Sequence, residues 1–362
     1  MGFKADIPYN DLPLLPPDSD IESKDVLKKA ITANKALAEL KGLGEQIPNQ
    51  SIIIRSISLQ EAKLSSEIEN IVTTNDELYK AFADDNYKTS PHTKEVLHYQ
   101  RALWYGFDAI RNQKRLLTTN LFVDVYKIIK QTNAGIRNLP GTKLAGNGNK
   151  NKVVYTPPEG EELIRGKLKN LEDFIYAEND IDPLIKLAVI HYQFEAIHPF
   201  TDGNGRTGRI LNLLYLLEQN LIDIPVLYIS RYIIDHKDAY YSGLRNVTEN
   251  GKWEAWILYM LNAVEKSAFD ARNKILLIKE QMRAVSERVK NEAPKIYSKD
   301  LIEILFRQPY CKIKFLQDEG VGNRQTASSY LKELEALGIL ASFKQGRELY
   351  YVNTDFLKLL AE

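Results

Sequence analysis

The stretch His198-Pro-Phe-Thr-Asp-Gly-Asn-Gly-Arg-Thr-Gly-Arg209 carries the densest chemical signal in this 362-residue chain. The loop before a predicted helix holds three glycines, Gly203, Gly205 and Gly208. Backbone N–H groups without side chains around them can approach a ligand, and the positive end of the helix dipole favours an anion. Arg206 and Arg209 lie on the first helical turn, where cations are unfavourable unless an anionic ligand compensates them. The stretch therefore predicts a cradle for phosphate groups.

Two further side chains in this stretch point to chemistry rather than to binding alone. Asp202 lies beside the glycines, and one carboxylate together with phosphate oxygens is the usual way in which proteins hold Mg²⁺. His198 stands four residues upstream of Asp202, where it can act as a base on an incoming hydroxyl. A simple turn would explain Asp202 alone, and a solvated histidine would explain His198 alone. Their combination with the glycines and arginines favours a nucleotide-polyphosphate site with a metal.

Residues 198–209 match in full the signature of Fic domains, His-Pro-Phe-x-Asp-Gly-Asn-Gly-Arg-x-x-Arg. The chain resembles this family over roughly residues 20–265, including Phe194-Glu-Ala-Ile before the motif and Tyr155-Thr-Pro-Pro at the end of a predicted hairpin. The resemblance implies a mainly α fold, a Fic-type helical bundle with a small β-hairpin flap. It also implies a protein adenylyltransferase, which transfers AMP from ATP to a Ser, Thr or Tyr hydroxyl of a protein.

The resemblance assigns roles residue by residue. His198 would deprotonate the target hydroxyl, which attacks the α-phosphorus, and Asp202 would bind Mg²⁺. ATP would contact Gly203, Asn204, Gly205, Arg206, Thr207, Gly208 and Arg209, with Asn204 hydrogen-bonded to a phosphate oxygen. Tyr240, of the pair Tyr240-Tyr241, would lie near the adenine, although helix packing explains a tyrosine pair equally well. The hairpin at about residues 142–157 would be the flap, along which an extended segment of the target protein binds through backbone hydrogen bonds.

A second short motif, in the N-terminal region, resembles the inhibitory motif of Fic proteins, Ser/Thr-x-x-x-Glu-Gly/Asn. It is matched by Ser65, Glu69 and Asn70, and the first two share one helix face. A carboxylate there could form a bidentate salt bridge with Arg209, so that Arg209 no longer holds the γ-phosphate. The sequence therefore predicts auto-inhibition by Glu69. Whether Glu69 also helps to remove AMP from modified targets stays open.

Three regions are expected along the chain. Residues 1–110 form an N-terminal arm and a helical region with the inhibitory motif, 111–294 form the catalytic core with its following helices, and 295–362 form a winged-helix-like domain. Within the first region, one helix is expected from Asp25 until Gly42 and Gly44 end it, and a second from about Leu59 to Ile71. Trp253 to about Asn291 reads as one long helix or two.

Residues 295–362 resemble a winged helix-turn-helix. Asn323 would open the recognition helix, and Lys344 and Arg347 would lie on a wing that turns at Gly346. The segment from Ile296 to Glu362 has six Lys and three Arg against nine Asp and Glu, so its net charge is zero. The excess of positive charge that favours binding to DNA phosphates is therefore missing. DNA binding and a protein-interaction or dimerisation role both remain open for this domain.

Composition excludes several other classes of protein. Lys+Arg 48 balance Asp+Glu 48, which argues against a globally basic nucleic-acid-binding coat. A single cysteine and five scattered histidines provide neither a disulfide nor a common zinc motif. The apolar runs are too short to span a membrane, and MGFKADIPYN lacks a secretory h-region, so a cytoplasmic protein is expected.

Three functional alternatives remain beside ATP-dependent adenylyl transfer. They are a nucleotide-sensing DNA-binding regulator without catalysis, a Doc-type kinase that transfers phosphate, and transfer of another nucleoside monophosphate. The chain itself is a possible target, which would be self-modification. The intact His198 argues against a mere sensor, and the Gly-Asn-Gly-Arg loop argues against a Doc-type kinase. A homodimer is possible.

Overall fold

A computed structural model describes residues 3–45, 50–84, 87–146, 149–345 and 348–361. Residues 3–23 form an arm without helix or strand, with turns at Lys4–Ile7 and Tyr9–Leu12, and five helices follow before the flap. These are α1 (Lys24–Glu45), α2 (Gln50–Ile68), α3 (Asn75–Ala83), α4 (Pro91–Arg111) and α5 (Thr119–Lys130). The mainly α prediction is confirmed for this region.

The bounds of α1 and α2 differ from those predicted. Helix α1 runs through Gly42 and Gly44, so the prediction that these glycines end it was wrong. Each glycine costs a helix only about 1 kcal/mol relative to alanine, and neither adopts a positive φ. Helix α2 begins nine residues before the predicted start at Leu59 and ends at Ile68, two residues before Asn70 turns left-handed with φ 62°.

The flap is the antiparallel hairpin predicted from the sequence. Strand β1 (Leu144–Gly146) pairs with β2 (Asn149–Tyr155), and Leu144 lies opposite Tyr155. The chain then forms α6 (Glu161–Tyr176), α7 (Pro183–Ile197) and α8 (Asn204–Glu218). Helix α7 is buried on nearly all sides and packs against α8, α6 and α11 (Trp253–Glu292). The loop between α7 and α8 therefore starts from the centre of the core.

Three helices complete the body: α9 (Ile229–Asp235), α10 (Lys237–Asn250) and α11, which is one helix of 40 residues rather than two. Trp256 of α11 is fully buried, and its indole Nε1 donates to the Ala188 carbonyl of α7 at 2.8 Å. Helix α11 also packs along α1 and reaches the C-terminal elements. It thus connects the core around α7 with the last part of the chain.

The C-terminal unit contains the elements expected of a winged helix. In order, they are α12 (Lys299–Arg307), β3 (Tyr310–Cys311), α13 (Ile313–Asp318), α14 (Arg324–Ala336), β4 (Ala341–Gln345), β5 (Glu348–Val352) and α15 (Thr354–Ala361). The sheet has the order β3-β5-β4. Strand β3 and helix α15 were not predicted, and the predicted wing residues Gly346 and Arg347 lie outside the described residues.

The wing side of the C-terminal unit is packed against α3. Lys312 donates to Asp84 at 2.5 Å, and the Lys80 ammonium lies 4.5 Å from the centre of the Phe343 ring on β4. Helices α12 and α15 also pack on α2, and Ser56 of α2 donates to the Arg307 carbonyl at 3.1 Å. Within the described part of the chain, no helix is long and apolar enough to cross a membrane.

Candidate active site

The loop before α8 is held in place by its own side chains. Asn204 accepts a hydrogen bond from the Phe200 N–H and donates one to the Phe200 carbonyl, both at 2.8 Å. Phe200 in turn stacks on Tyr126 with 4.0 Å between ring centres. The side chain of Asn204 is therefore used inside the loop, and its predicted hydrogen bond to a phosphate oxygen stays a prediction. Thr207 is likewise occupied, because its hydroxyl donates to the Gly203 carbonyl at 2.9 Å.

The glycines of this loop allow one left-handed turn and two close approaches. Gly203 has φ 77°, in the left-handed region that favours glycine. A methyl group at position 205 would clash with Glu69 Oε1 and lie 2.9 Å from Arg209 Nη1. A methyl group at position 208 would lie 2.5 Å from the Glu195 carboxylate, so Gly208 serves the packing of α8 against α7.

Arg209 is buried, and its guanidinium is bound by the end of α2. Its Nε donates to Ser65 Oγ at 2.7 Å, and its Nη2 donates to the Ser65 carbonyl at 2.9 Å and to Glu69 Oε1 at 2.8 Å. The predicted pairing with Glu69 is therefore present, but the fork is shared with Ser65 instead of being bidentate on the carboxylate. Burial alone would lower the pKa of Arg209, yet the Glu69 carboxylate raises it above its ordinary value.

Asn70, the last residue of the same motif, is distinguished by its backbone conformation. Its φ of 62° is left-handed, and glycine and asparagine are the residues that most readily adopt this conformation after a helix. The chain turns away there, immediately after Glu69. The requirement for Gly or Asn at this position thus follows from the backbone and needs no side-chain contact.

Arg206 and Asp202 belong to a second charged cluster, two members of which the sequence analysis missed. Arg206 is buried and donates to Glu95 Oε2 at 2.8 Å, while its Nη2 lies 3.9 Å from Asp202. Lys130 donates to Asp202 Oδ2 at 2.6 Å and lies 3.7 Å from Glu95. Burial alone would raise the pKa of Asp202, but Lys130 lowers it, so Asp202 is ionised. Glu95 and Lys130 lie far from the motif in sequence, and nothing in their local pattern marks them.

Asp202 can serve as a ligand for Mg²⁺. Its side chain is 65% exposed and ionised, which suits a hard cation that keeps water and phosphate oxygens as its other ligands. Among the described residues, no three His, Cys, Asp or Glu side chains cluster as a complete metal site. A metal here would therefore depend on phosphate oxygens from the substrate.

His198 caps the C-terminus of α7 with a left-handed backbone, φ 49° and ψ 59°. Its pKa falls to about 4, first because it is buried and second because Arg137 is close; Glu69 and Asp202 oppose this more weakly. At neutral pH the imidazole is therefore uncharged and able to accept a proton. This is the protonation state that a general base needs.

A cavity of about 600 Å³ lies between the flap, α7, α8 and α10. It brings His198 and Arg209 to one space together with Glu69, and the flap residues Lys143 and Lys152 line its other side. The predicted nucleotide residue Tyr240 also lines the cavity, as does its neighbour Tyr241. Tyr240 is nevertheless fixed by packing, because it is buried and its hydroxyl lies 2.9 Å from His191 Nε2. The packing interpretation therefore holds for Tyr240, and its position near the adenine stays a prediction.

The helical body, the glycine-rich start of α8 and the hairpin above the cavity define a Fic-type protein. Three family profiles match the chain: Fic/DOC family N-terminal over residues 27–108, Fic/DOC family over 115–216, and the C-terminal domain of protein adenylyltransferase SoFic-like over 281–356. The chain belongs to the Fic family.

Individual relatives are named as protein adenylyltransferases or probable ones. The chain is 31% identical over 114 residues to protein adenylyltransferase fic-1 of Caenorhabditis elegans and 33% identical over 85 residues to a probable protein adenylyltransferase of Aquifex aeolicus. The first alignment covers 30% of this chain and 21% of its relative, and the second covers 24% of this chain and 26% of its relative.

Solved structures support the fold over a longer part of the chain. A Fic family protein from Desulfovibrio desulfuricans G20 has a TM-score of 0.58 at 19% identity, covering 93% of this chain and 98% of that one. Fic-1 from Caenorhabditis elegans has a TM-score of 0.53 at 17% identity, covering 70% and 74%. At these identities the likeness shows the shared fold.

Proposed function

We propose that this protein is an adenylyltransferase that moves AMP from ATP to a hydroxyl side chain of a protein, and that Glu69 inhibits it. The observation that carries the proposal is that His198 and Arg209 line one cavity beneath the flap, at the glycine-rich start of α8. The names of the relatives support the same reaction. Adenine is the base proposed, and transfer of another nucleoside monophosphate is an outcome of the test below.

In the proposed reaction, the neutral imidazole of His198 takes the proton of the target hydroxyl. The hydroxyl oxygen then bonds to the α-phosphorus of ATP, the bond from that phosphorus to the bridging oxygen breaks, and pyrophosphate leaves. Backbone N–H groups at the start of α8, together with Arg209, stabilise the negative charge of the phosphates. Asp202 would hold Mg²⁺, which when bound neutralises phosphate charge. Catalysis by positioning and charge stabilisation is typical of such transfers.

Arg206 has a different role from Arg209 in this proposal. Its guanidinium is buried against Glu95 and near Asp202, and it does not line the cavity. We therefore assign Arg206 to holding the loop and the metal-binding carboxylate, while a direct contact with the terminal phosphates falls to Arg209. In the resting arrangement the Glu69 carboxylate competes with the phosphates for Arg209.

The proposed target is a protein segment that binds along the flap in an extended conformation. Residues of strands β1 and β2 line the cavity, and Lys143 and Lys152 add positive charge to its lining. Backbone pairing with a strand edge would fix the hydroxyl near His198 without demanding a particular sequence. A segment of a second copy of this chain would satisfy the same chemistry, which is self-modification.

The role proposed for the C-terminal unit is protein contact in preference to DNA binding. Its wing side is already engaged with α3 through Lys312 and Phe343, and its net charge is zero. DNA binding through the exposed side of α14 is tested by a filter-binding salt titration. Retention of DNA at low salt with steep loss at higher salt would favour DNA, and no retention at low salt would exclude it.

Intact-mass analysis tests the proposed reaction. The Glu69→Gly protein is incubated with Mg²⁺ and, separately, ATP, GTP, UTP or CTP, in the presence of a lysate depleted of nucleotides. An added mass of AMP on this chain, or AMP label on lysate proteins from α-labelled ATP, supports adenylyl transfer. Label from γ-labelled ATP instead would indicate a kinase, and no label with any nucleotide would refute the proposal. The His198→Ala variant in the same background is the control.

A further inference from the structure

Arg137 lies between α5 and the flap and is nearly fully buried, with 3% of its surface exposed. Its Nε donates to the His198 carbonyl at 2.8 Å, and its Nη2 donates to the Pro158 carbonyl at 2.5 Å and the Ile197 carbonyl at 3.3 Å. Its backbone N–H donates to the Pro199 carbonyl at 2.9 Å. One residue thus binds three consecutive carbonyls of the catalytic loop and one at the foot of the flap.

These contacts stabilise a backbone that is otherwise unfavourable. The left-handed conformation of His198 costs about 1–2 kcal/mol for a residue with a Cβ atom. Ile197 and His198 also end α7, where carbonyl groups have no partner within the helix. A buried cation at this end satisfies the carbonyls and interacts favourably with the helix dipole. The conformation that brings His198 to the cavity is therefore tied to Arg137.

The same side chain also connects the flap to the loop. Pro158 follows β2 by three residues, so the Nη2 of Arg137 bridges the end of the flap and the end of α7. A second bridge lies beside it, where the Tyr155 hydroxyl donates to the Ala196 carbonyl at 2.8 Å. The base and the surface on which the target would bind thus share one rigid support.

We propose that Arg137 is a positioning residue, which fixes His198 relative to the flap so that the imidazole meets the hydroxyl of a bound target. This inference rests on the proposed function. Arg137 does not line the cavity and acts on the reaction through the backbone of His198. It is therefore expected to affect the chemical step and to leave nucleotide binding unchanged.

The electrostatics give Arg137 a signature that a purely structural residue would lack. The charged groups that act on His198 are Arg137, Glu69 and Asp202, and Arg137 is the one that lowers its pKa. Removal of this charge should therefore raise the pKa of His198. Exposure of the imidazole through loss of local order would raise it too, so the comparison with Arg137→Lys, which keeps the charge, separates the two causes.

The test uses the full chain in the Glu69→Gly background, with Arg137→Gln, Arg137→Lys and a matched control, Arg111→Gln. Arg111 also binds a loop carbonyl, that of Ile222 at 2.7 Å, but on α4 and away from the cavity. For each variant, kcat and KM for ATP are measured against pH. The pKa of His198 is measured by NMR, with its signal assigned by comparison with His198→Ala, and folding is checked by thermal melting.

We expect Arg137→Gln to lower kcat about 100-fold with KM for ATP unchanged, because a small misplacement of a catalytic group costs this much. The pKa of His198 should rise in this variant, whereas Arg137→Lys keeps the charge and should hold the pKa near that of the parent with an intermediate kcat. A kcat within twofold of the parent overturns the proposal. So does a fall in kcat with an unchanged His198 pKa, or an equal fall in Arg111→Gln.

The two proposals fail in different ways. If the Glu69→Gly parent transfers no nucleotide, the proposed function fails and no kcat exists to compare. The NMR titration of His198 needs no activity and still decides whether Arg137 acts on this histidine. With an inactive parent, a His198 pKa that rises in Arg137→Gln but not in Arg137→Lys would keep the positioning role, and an unmoved pKa in Arg137→Gln would refute it.

Discussion

Replacement of Glu69 by glycine is expected to raise the initial rate of AMP transfer 5- to 30-fold. Of the three hydrogen bonds that hold Arg209, only one comes from the Glu69 carboxylate. A hydrogen bond to a charged group contributes about 1.5–3 kcal/mol, but 35% of the Glu69 side chain is exposed, so solvent screening reduces this to about 1–2 kcal/mol. Such an energy corresponds to a factor of about 5–30 in the competent population.

The assay is incorporation of label from α-labelled ATP at a concentration below saturation, where release of Arg209 acts on both binding and rate. Two variants separate the charge from the backbone. Glu69→Gln keeps a side-chain acceptor without the charge and should give a smaller rise. Glu67→Gly places the same glycine on the same turn, but at a carboxylate whose charge acts on Lys63. A rise below twofold in Glu69→Gly, or an equal rise in Glu67→Gly, would refute the reasoning.

Three further outcomes are expected. His198→Ala should abolish transfer while the Kd for ATP, measured by calorimetry, stays within about threefold of the parent; wild-type labelling would exclude it as the base. Lys130→Met should lower the Mg²⁺ concentration for half-maximal activity about two- to fivefold, because an exposed ion pair of about 0.2–1 kcal/mol no longer competes for Asp202; an unchanged requirement would contradict this. Burial raises the pKa of Glu61 to about 7, and this outweighs its hydrogen bond from Ser230. The stability that Glu61 adds is therefore present below its ordinary value of 4.5 and is lost as the pH rises through 7. Urea unfolding of Glu61→Gln should show a smaller loss between pH 5 and pH 8 than the parent shows, and identical losses would count against it.

The sequence predicted the local parts of the site well, because the residues that specify each part lie close together in the chain. The start of α8 and the flap hairpin each follow from glycine, asparagine and proline at fixed positions, whereas the left-handed turn at Asn70 was not predicted. The extent of α1 could not be predicted from Gly42 and Gly44, because burial against α11 outweighs the cost of two glycines in a helix.

The site residues that the sequence did not predict were missed for one physical reason. Glu95, Lys130 and Arg137 reach the motif from other elements, and their local patterns are those of ordinary helix and loop residues. Only the packing of α4 and α5 against α8 brings the first two to Arg206 and Asp202. The structural use of the Asn204 side chain was missed for a different reason: its place in the motif was evident, but its hydrogen bonds to Phe200 depend on how the loop folds back on itself.

The absence of a side chain at Gly205 has a consequence for how this protein can change by mutation. The space beside its Cα is filled by the Glu69 carboxylate and the Arg209 guanidinium, and the same backbone would face the phosphates of a bound nucleotide. Any larger residue would disturb the resting and the working arrangement together. Substitutions at position 205 therefore cannot weaken the contact between Glu69 and Arg209 step by step while leaving the phosphate-facing backbone intact. Changes at Ser65 in α2 and at Glu69 just after it can instead weaken this restraint step by step without altering the glycine-rich loop.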